Sequence, residues 1–185
     1  MLDEIFEETK ERMGKTQAAL KSELMRIRTG RASLSLLDGI RVDYYGTKTP
    51  LNQVATLSVP ESRLIVIQPW DASVIKEIEK AILKSDLGLT PSSDGRLIRI
   101  AIPPLTEERR KELVKTVSKV CEEYKVAIRN IRRDANELVK SLKKDGDISE
   151  DDAFRAQGEI QKITDEQIEQ VDVVYKEKEK EILEF

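Results

Sequence analysis

The sequence predicts an α+β protein of two domains, an elongated three-helix bundle into which a small β/α/β domain is inserted. Two observations carry this. The apolar residues follow a helical period near the N-terminus, break into short β-type runs over residues 40–102, and return to a helical period after Pro103-Pro104. The returning seam then continues for about 40 residues, roughly 60 Å of helix, which is too long to stand in water without a partner.

The first helix is read from Leu2, Phe6, Thr9, Met13, Leu20, Leu24 and Ile27, with charged residues between them. The β-type runs are 40–45, 53–59, 63–67 and 97–102, separated by Gly46, Pro50, Pro60-Glu-Ser and Ser92-Ser-Asp-Gly95, all turn chemistry. One helix interrupts them over 72–85, apolar on Val74, Ile75, Ile78, Ala81 and Ile82, with Asp71 as its N-cap and Gly88 just beyond its end. The long helix is expected to start at a Thr106 cap, with Glu107 and Glu108 suiting the positive end of its dipole. Its seam is Leu113, Val117, Val120, Tyr124, Ile128, Ile131, Ala135, Leu138 and Leu142, and Asp145-Gly146-Asp147 ends it. Ser149 then caps a last helix with Ile160, Thr164, Gln167, Val171, Val174 and Ile182 along its seam. The bundle is therefore expected from 1–29 plus 105–185 and the inserted domain from 30–104. The chain crosses between them at Gly30-Arg31 and at Pro103-Pro104.

Composition removes most chemistry. There is no histidine, so no imidazole base, no Ser-His or Cys-His pair and no His metal site. The one cysteine, Cys121, lies close to the long seam, where a buried thiol is expected to be inert. Ser73-Val-Ile-Lys76 has the Ser-x-x-Lys spacing without its partner motifs, and the Asp145–Asp152 cluster lacks the glycine and glutamate positions of a calcium loop. No catalytic site, metal or cofactor is expected. The N-terminal run Met1-Leu-Asp-Glu-Ile-Phe-Glu-Glu is acidic where a signal peptide is basic and then apolar, and no stretch has the length of a membrane span. A soluble cytoplasmic protein is expected.

Charge is unevenly spread. Residues 105–145 hold twelve basic and eight acidic groups, whereas 146–185 hold five and thirteen. On a helical wheel Lys125, Arg129, Arg132, Asn136, Lys140 and Lys143 fall within an arc of about 80° beside the apolar seam. Guanidiniums one turn apart can fork to phosphates along a nucleic-acid backbone. The same arc also reads as a solvated face paired with the acidic last helix. Arg28 and Arg31 add two guanidiniums after the first helix. These residues alone leave two classes open, a nucleic-acid-binding module and a helical adaptor or chaperone-like protein. Salt-dependent binding to RNA separates them.

Several blocks also resemble the bacterial ribosome recycling factor family: Ile27-Arg-Thr-Gly-Arg-Ala-Ser33, Val42-Asp-Tyr-Tyr-Gly46, Thr49-Pro-Leu-Asn-Gln53, Glu79-Lys-Ala-Ile82 with Ser85-Asp-Leu-Gly-Leu89, 104–113, Val126-Ala-Ile-Arg-Asn-Ile-Arg-Arg-Asp134, Ser149-Glu-Asp-Asp and Gln161-Lys-Ile-Thr-Asp165. They occur in order along essentially the whole chain. The departure is Leu34, where the family usually carries proline. The resemblance implies an L-shaped, tRNA-like monomer without enzymatic activity. It implies binding to the large subunit of the 50S/70S ribosome after termination, and splitting of the subunits with elongation factor G and GTP, initiation factor 3 then keeping them apart. It also implies rRNA contacts at Arg28, Arg31, Arg129 and Arg132, with Arg133 and Asn130 beside them, and a hinge at Gly30, Arg31, Pro103 and Pro104.

Overall fold

The computed structural model describes residues 1–184; Phe185, which the expected bundle segment includes, lies outside the described residues. The elements are α1 (Leu2–Met25), β1 (Arg41–Tyr44), β2 (Thr47–Pro50), β3 (Ala55–Glu61), β4 (Leu64–Pro69), α2 (Ile75–Lys84), β5 (Pro91–Ser93), β6 (Ile98–Ala101), α3 (Glu107–Lys144) and α4 (Glu150–Leu183). The chain divides into two compact units, 1–27 with 108–184, and 28–107. The cuts fall slightly outside residues 30 and 104, so Arg28 enters with the second unit rather than with the bundle.

In the first unit three helices pack lengthwise. Arg12 of α1 bonds Asp134 of α3 at 2.8 Å, and further along α1 Glu23 accepts from the Tyr124 hydroxyl at 2.6 Å, so these helices run antiparallel. Lys125 meets Asp172, Arg132 meets Gln161, and Arg110 reaches the carbonyl of Leu183, so α3 and α4 form an antiparallel hairpin. Gln17 closes the triangle by donating to the Gln167 carbonyl at 2.7 Å. The core line of α3 is Leu113, Val117, Cys121, Ile128, Ile131, Ala135 and Val139. Val120 and Tyr124, expected in the seam, are only half-buried, and Leu138 is exposed; Cys121 and Val139 take the inward places. Val120-Cys121 and Leu138-Val139 are each neighbouring apolar pairs, and the compact Val139 clusters with the small Ala153 and Ala156 of α4. Ser149 caps α4 through a reciprocal bond with Asp152, which accounts for the Asp145–Asp152 cluster as a helix-joining turn.

In the second unit a four-stranded antiparallel sheet of order β3-β4-β6-β5 and a separate β1–β2 hairpin share one core with α2. Ile65, Ile67, Ile78, Ile82, Ile98 and Ile100 are its fully buried centre. Asp71 caps the turn leading into α2, accepting from the N–H of Ser73, so the Ser73–Lys76 spacing belongs to a helix start. Two strands were not expected. β2 and β5 are short, polar and led or closed by Pro50 and Pro91, so neither shows an alternating apolar pattern. Pro60, expected to turn the chain, lies within β3 where the register shifts, on the sheet's edge. Leu34 opens a 3₁₀ turn whose cap is Ser33, a first-turn position that proline and leucine both fill.

Both chain connections are tied to one hairpin turn. The N–H of Ala32 donates to the Ser62 carbonyl at 2.7 Å, and the N–H of Ile102 donates to the Arg63 carbonyl at 2.8 Å. Gly30 has φ +79°, and a Cβ there would sit 3.2 Å from Cγ of Leu105, so the two connections also touch each other. Only glycine meets both demands.

Two outcomes test this packing. Ile128→Ala removes a fully buried side chain beneath the arginine run of α3 and should cost about 2–5 kcal/mol, read as a lowered urea midpoint with an unchanged slope. Burial raises the Cys121 thiol to about 11, so at pH 8 it should alkylate far more slowly than in the urea-unfolded chain; equal rates would contradict the packing.

Candidate nucleic-acid interface

α3 is packed along its buried line, and the helical repeat sets the spacing of what it displays beside that line. Arg129, Asn130, Arg132 and Arg133 lie within about one turn. Asn130 and Arg133 are exposed, and Arg129 and Arg132 are half-exposed along the border with the packed face.

The structure divides the predicted cationic arc by side-chain type. Lys125 is drawn into the α3–α4 groove, its side chain 16% exposed, with Asp172 at 2.6 Å and Glu122 at 3.4 Å. Lys140 pairs with Glu137 and Lys143 with Glu150. These lysines are the paired, solvated face that one reading of the arc required. Asn136 turns its Oδ1 inward, where that atom is buried without a hydrogen-bond partner, so Asn136 is not displayed as a reading group. The arginines behave otherwise. Among the described residues neither Arg129 nor Arg133 has a carboxylate within ion-pair distance, and Arg132 meets the neutral amide oxygen of Gln161 at 3.3 Å. The nearest acid in sequence, Asp134, is occupied by Arg12.

Arg28 and Arg31 belong to the second unit, where Arg28 is half-buried and Arg31 exposed just before the Ala32–Ser62 bond. The remaining features offer no competing chemistry. Among the described residues no group of three or more His, Cys, Asp or Glu could hold a metal ion, and no helix is long and apolar enough to cross a membrane. Sequence reasoning missed Gln161, the α4 residue that touches Arg132. Its signal was present as a Gln and an Asp four residues apart on one helix, since Gln161 Nε2 donates to Asp165 at 2.8 Å.

Known proteins agree on one relationship. The family model for ribosome recycling factor matches residues 20–183. A ribosome-recycling factor of Desulfatibacillum aliphaticivorans is 68% identical over 185 residues, covering both chains completely. One from Bacillus subtilis is 58% identical over 184 residues, again across both full lengths. Among solved structures, a solution structure of the ribosome recycling factor superposes with a TM-score of 0.80 at 44% identity, covering all of this chain and 98% of that one. A second, from models of the T. thermophilus factor and E. coli elongation factor G bound to the E. coli post-termination complex, gives 0.65 at 51% identity, covering 99% of each chain. The likeness runs over the whole chain, bundle and small β domain alike, and the chain belongs to the ribosome recycling factor family of translation factors.

Proposed function

We propose that this protein recycles ribosomes after termination by binding the large subunit and, with elongation factor G and GTP, separating it from the small subunit. The observation that carries the reading is the division of the arc: Lys125, Lys140 and Lys143 pair with carboxylates, while Arg129, Arg132 and Arg133 are left without an acidic partner. A guanidinium presents five donors in a plane and suits a phosphate better than a compact ammonium does. Arg28, Arg31 and Asn130 complete the proposed rRNA contacts. The likeness to a factor described bound to the post-termination complex with elongation factor G supports both partners. The protein acts as a cytoplasmic monomer, by binding and displacement with no chemistry of its own, and initiation factor 3 takes over once the subunits part.

Splitting requires one domain to move while the other stays seated. Bonds from Ala32 and Ile102 to Ser62 and Arg63 fasten both connections to the inserted domain's own sheet. These bonds support a hinge at the few residues around Gly30-Arg31 and Pro103-Pro104, where two adjacent connections favour one dominant axis.

Arg132→Ala should leave helicity unchanged and weaken large-subunit binding by about 1.5–3 kcal/mol, with the dependence on log salt falling by about one. Sedimentation with purified subunits at several salt concentrations reads both, and unaltered affinity would reject the contact. An engineered disulfide that locks the inserted domain to the bundle should abolish splitting of post-termination ribosomes yet spare large-subunit binding, and reduction should restore splitting. Normal splitting by the locked protein would make the hinge incidental.

A further inference from the structure

Arg132 faces α4 at a point where that helix offers an amide rather than a carboxylate. Gln161 accepts from the Arg132 guanidinium at 3.3 Å through Oε1, and its Nε2 donates to Oδ1 of Asp165 at 2.8 Å. The two bonds settle the orientation of the amide. Its nitrogen must face the carboxylate, and its oxygen is then left for the arginine. Two turns along the same α3–α4 groove the arrangement is the reverse, because Lys125 meets Asp172 directly at 2.6 Å. One cation is captured by a full negative charge. The other is held by a neutral oxygen, with the acid kept one helical turn away at Asp165.

We propose that Gln161, oriented by Asp165, is a positioning residue that aims Arg132 at phosphate while leaving its charge available; the inference rests on the reading of Arg132 as an rRNA contact. A bond from a guanidinium to a neutral carbonyl is weaker than one to an ionised oxygen, so a phosphate can displace or share it. Arg132 uses one of its five N–H donors on Gln161 and keeps the rest for a ligand. Holding a long side chain in one orientation beforehand also reduces the rotamer entropy lost on binding.

The test is a double-mutant cycle on the full-length protein, reading affinity for purified large subunits at fixed salt. Gln161→Glu puts a carboxylate against Arg132 and Gln161→Met removes the acceptor at similar size; each is made alone and with Arg132→Ala. Gln161→Glu should weaken binding about tenfold in the otherwise unaltered chain and by less than about twofold once Arg132 is gone, with Gln161→Met between these limits. Because Gln161 is exposed, both variants should keep the parent's helicity. A Gln161→Glu loss of equal size in both backgrounds would mean simple repulsion of RNA by added negative charge and would overturn the proposal. Neutral behaviour of both Gln161 variants, where Arg132→Ala still weakens binding, would overturn it while leaving the rRNA contact standing. Undiminished binding by Arg132→Ala alone would remove the contact itself and the positioning role with it.

Discussion

A helix of 38 residues cannot persist in water on backbone bonds alone, and most of what this chain does follows from burying one side of α3. Its inward line of Leu, Val, Cys, Ile and Ala needs partners along the whole length, which α1 and α4 supply. Once both are in place the remaining arc of α3 is fixed in direction, and side chains one turn apart cannot drift relative to each other. A flexible segment with the same arginines would have to lose that freedom on meeting a ligand. Here it is lost in folding, and the apolar seam offsets it.

The bundle also decides which charges survive as charges. The last quarter of the sequence is strongly acidic, yet its carboxylates are not spread evenly against α3. Asp172 and Glu150 neutralise lysines, and Asp165 is engaged by a glutamine. A compact ammonium in a groove beside a carboxylate is well satisfied there, as the raised pKa of Lys125 shows; its hydrogen bond to Asp172 is the chief cause. Within this arc of α3 the lysines are thus taken up by neighbouring carboxylates, and Arg129, Arg132 and Arg133 are left for what lies outside. A survey of net charge alone would have missed this, because both residue types add equally to the basic balance of residues 105–145.

The fold class, the order of helices and β-type runs, the cap at Asp71 and the cap at Ser149 could be read from the residues because each rests on local chemistry or on a period. What escaped depended on choices that periodicity leaves degenerate. Leu138 and Val139 are both apolar, and only the close Ala153 and Ala156 favour the smaller shape. β2 and β5 lack an apolar alternation because each lies at a margin, paired on one side only, with β1 and with β6. The arginine arc was visible, but not the fate of each member. Lys125 and Arg129 are four residues apart on one helix and differ in what α4 sets opposite them, which is tertiary information.

The inserted domain raises a different requirement, since the chain must leave the bundle and return to it without disturbing either core. Joining both connections to adjacent residues of one turn meets it. Ser62 and Arg63 give their carbonyls to the incoming and outgoing chain, so the entry and exit points are fastened side by side at the end of the β3–β4 hairpin. Gly30 lets the connections lie against each other, with Leu105 in the space a side chain would occupy. Pro103 and Pro104 donate no N–H beyond Ile102, so the pairing stops there and cannot extend toward the bundle. The sheet's hydrogen bonds therefore reach as far as Ile102 and end, and that termination keeps two tightly folded units distinct in a single chain.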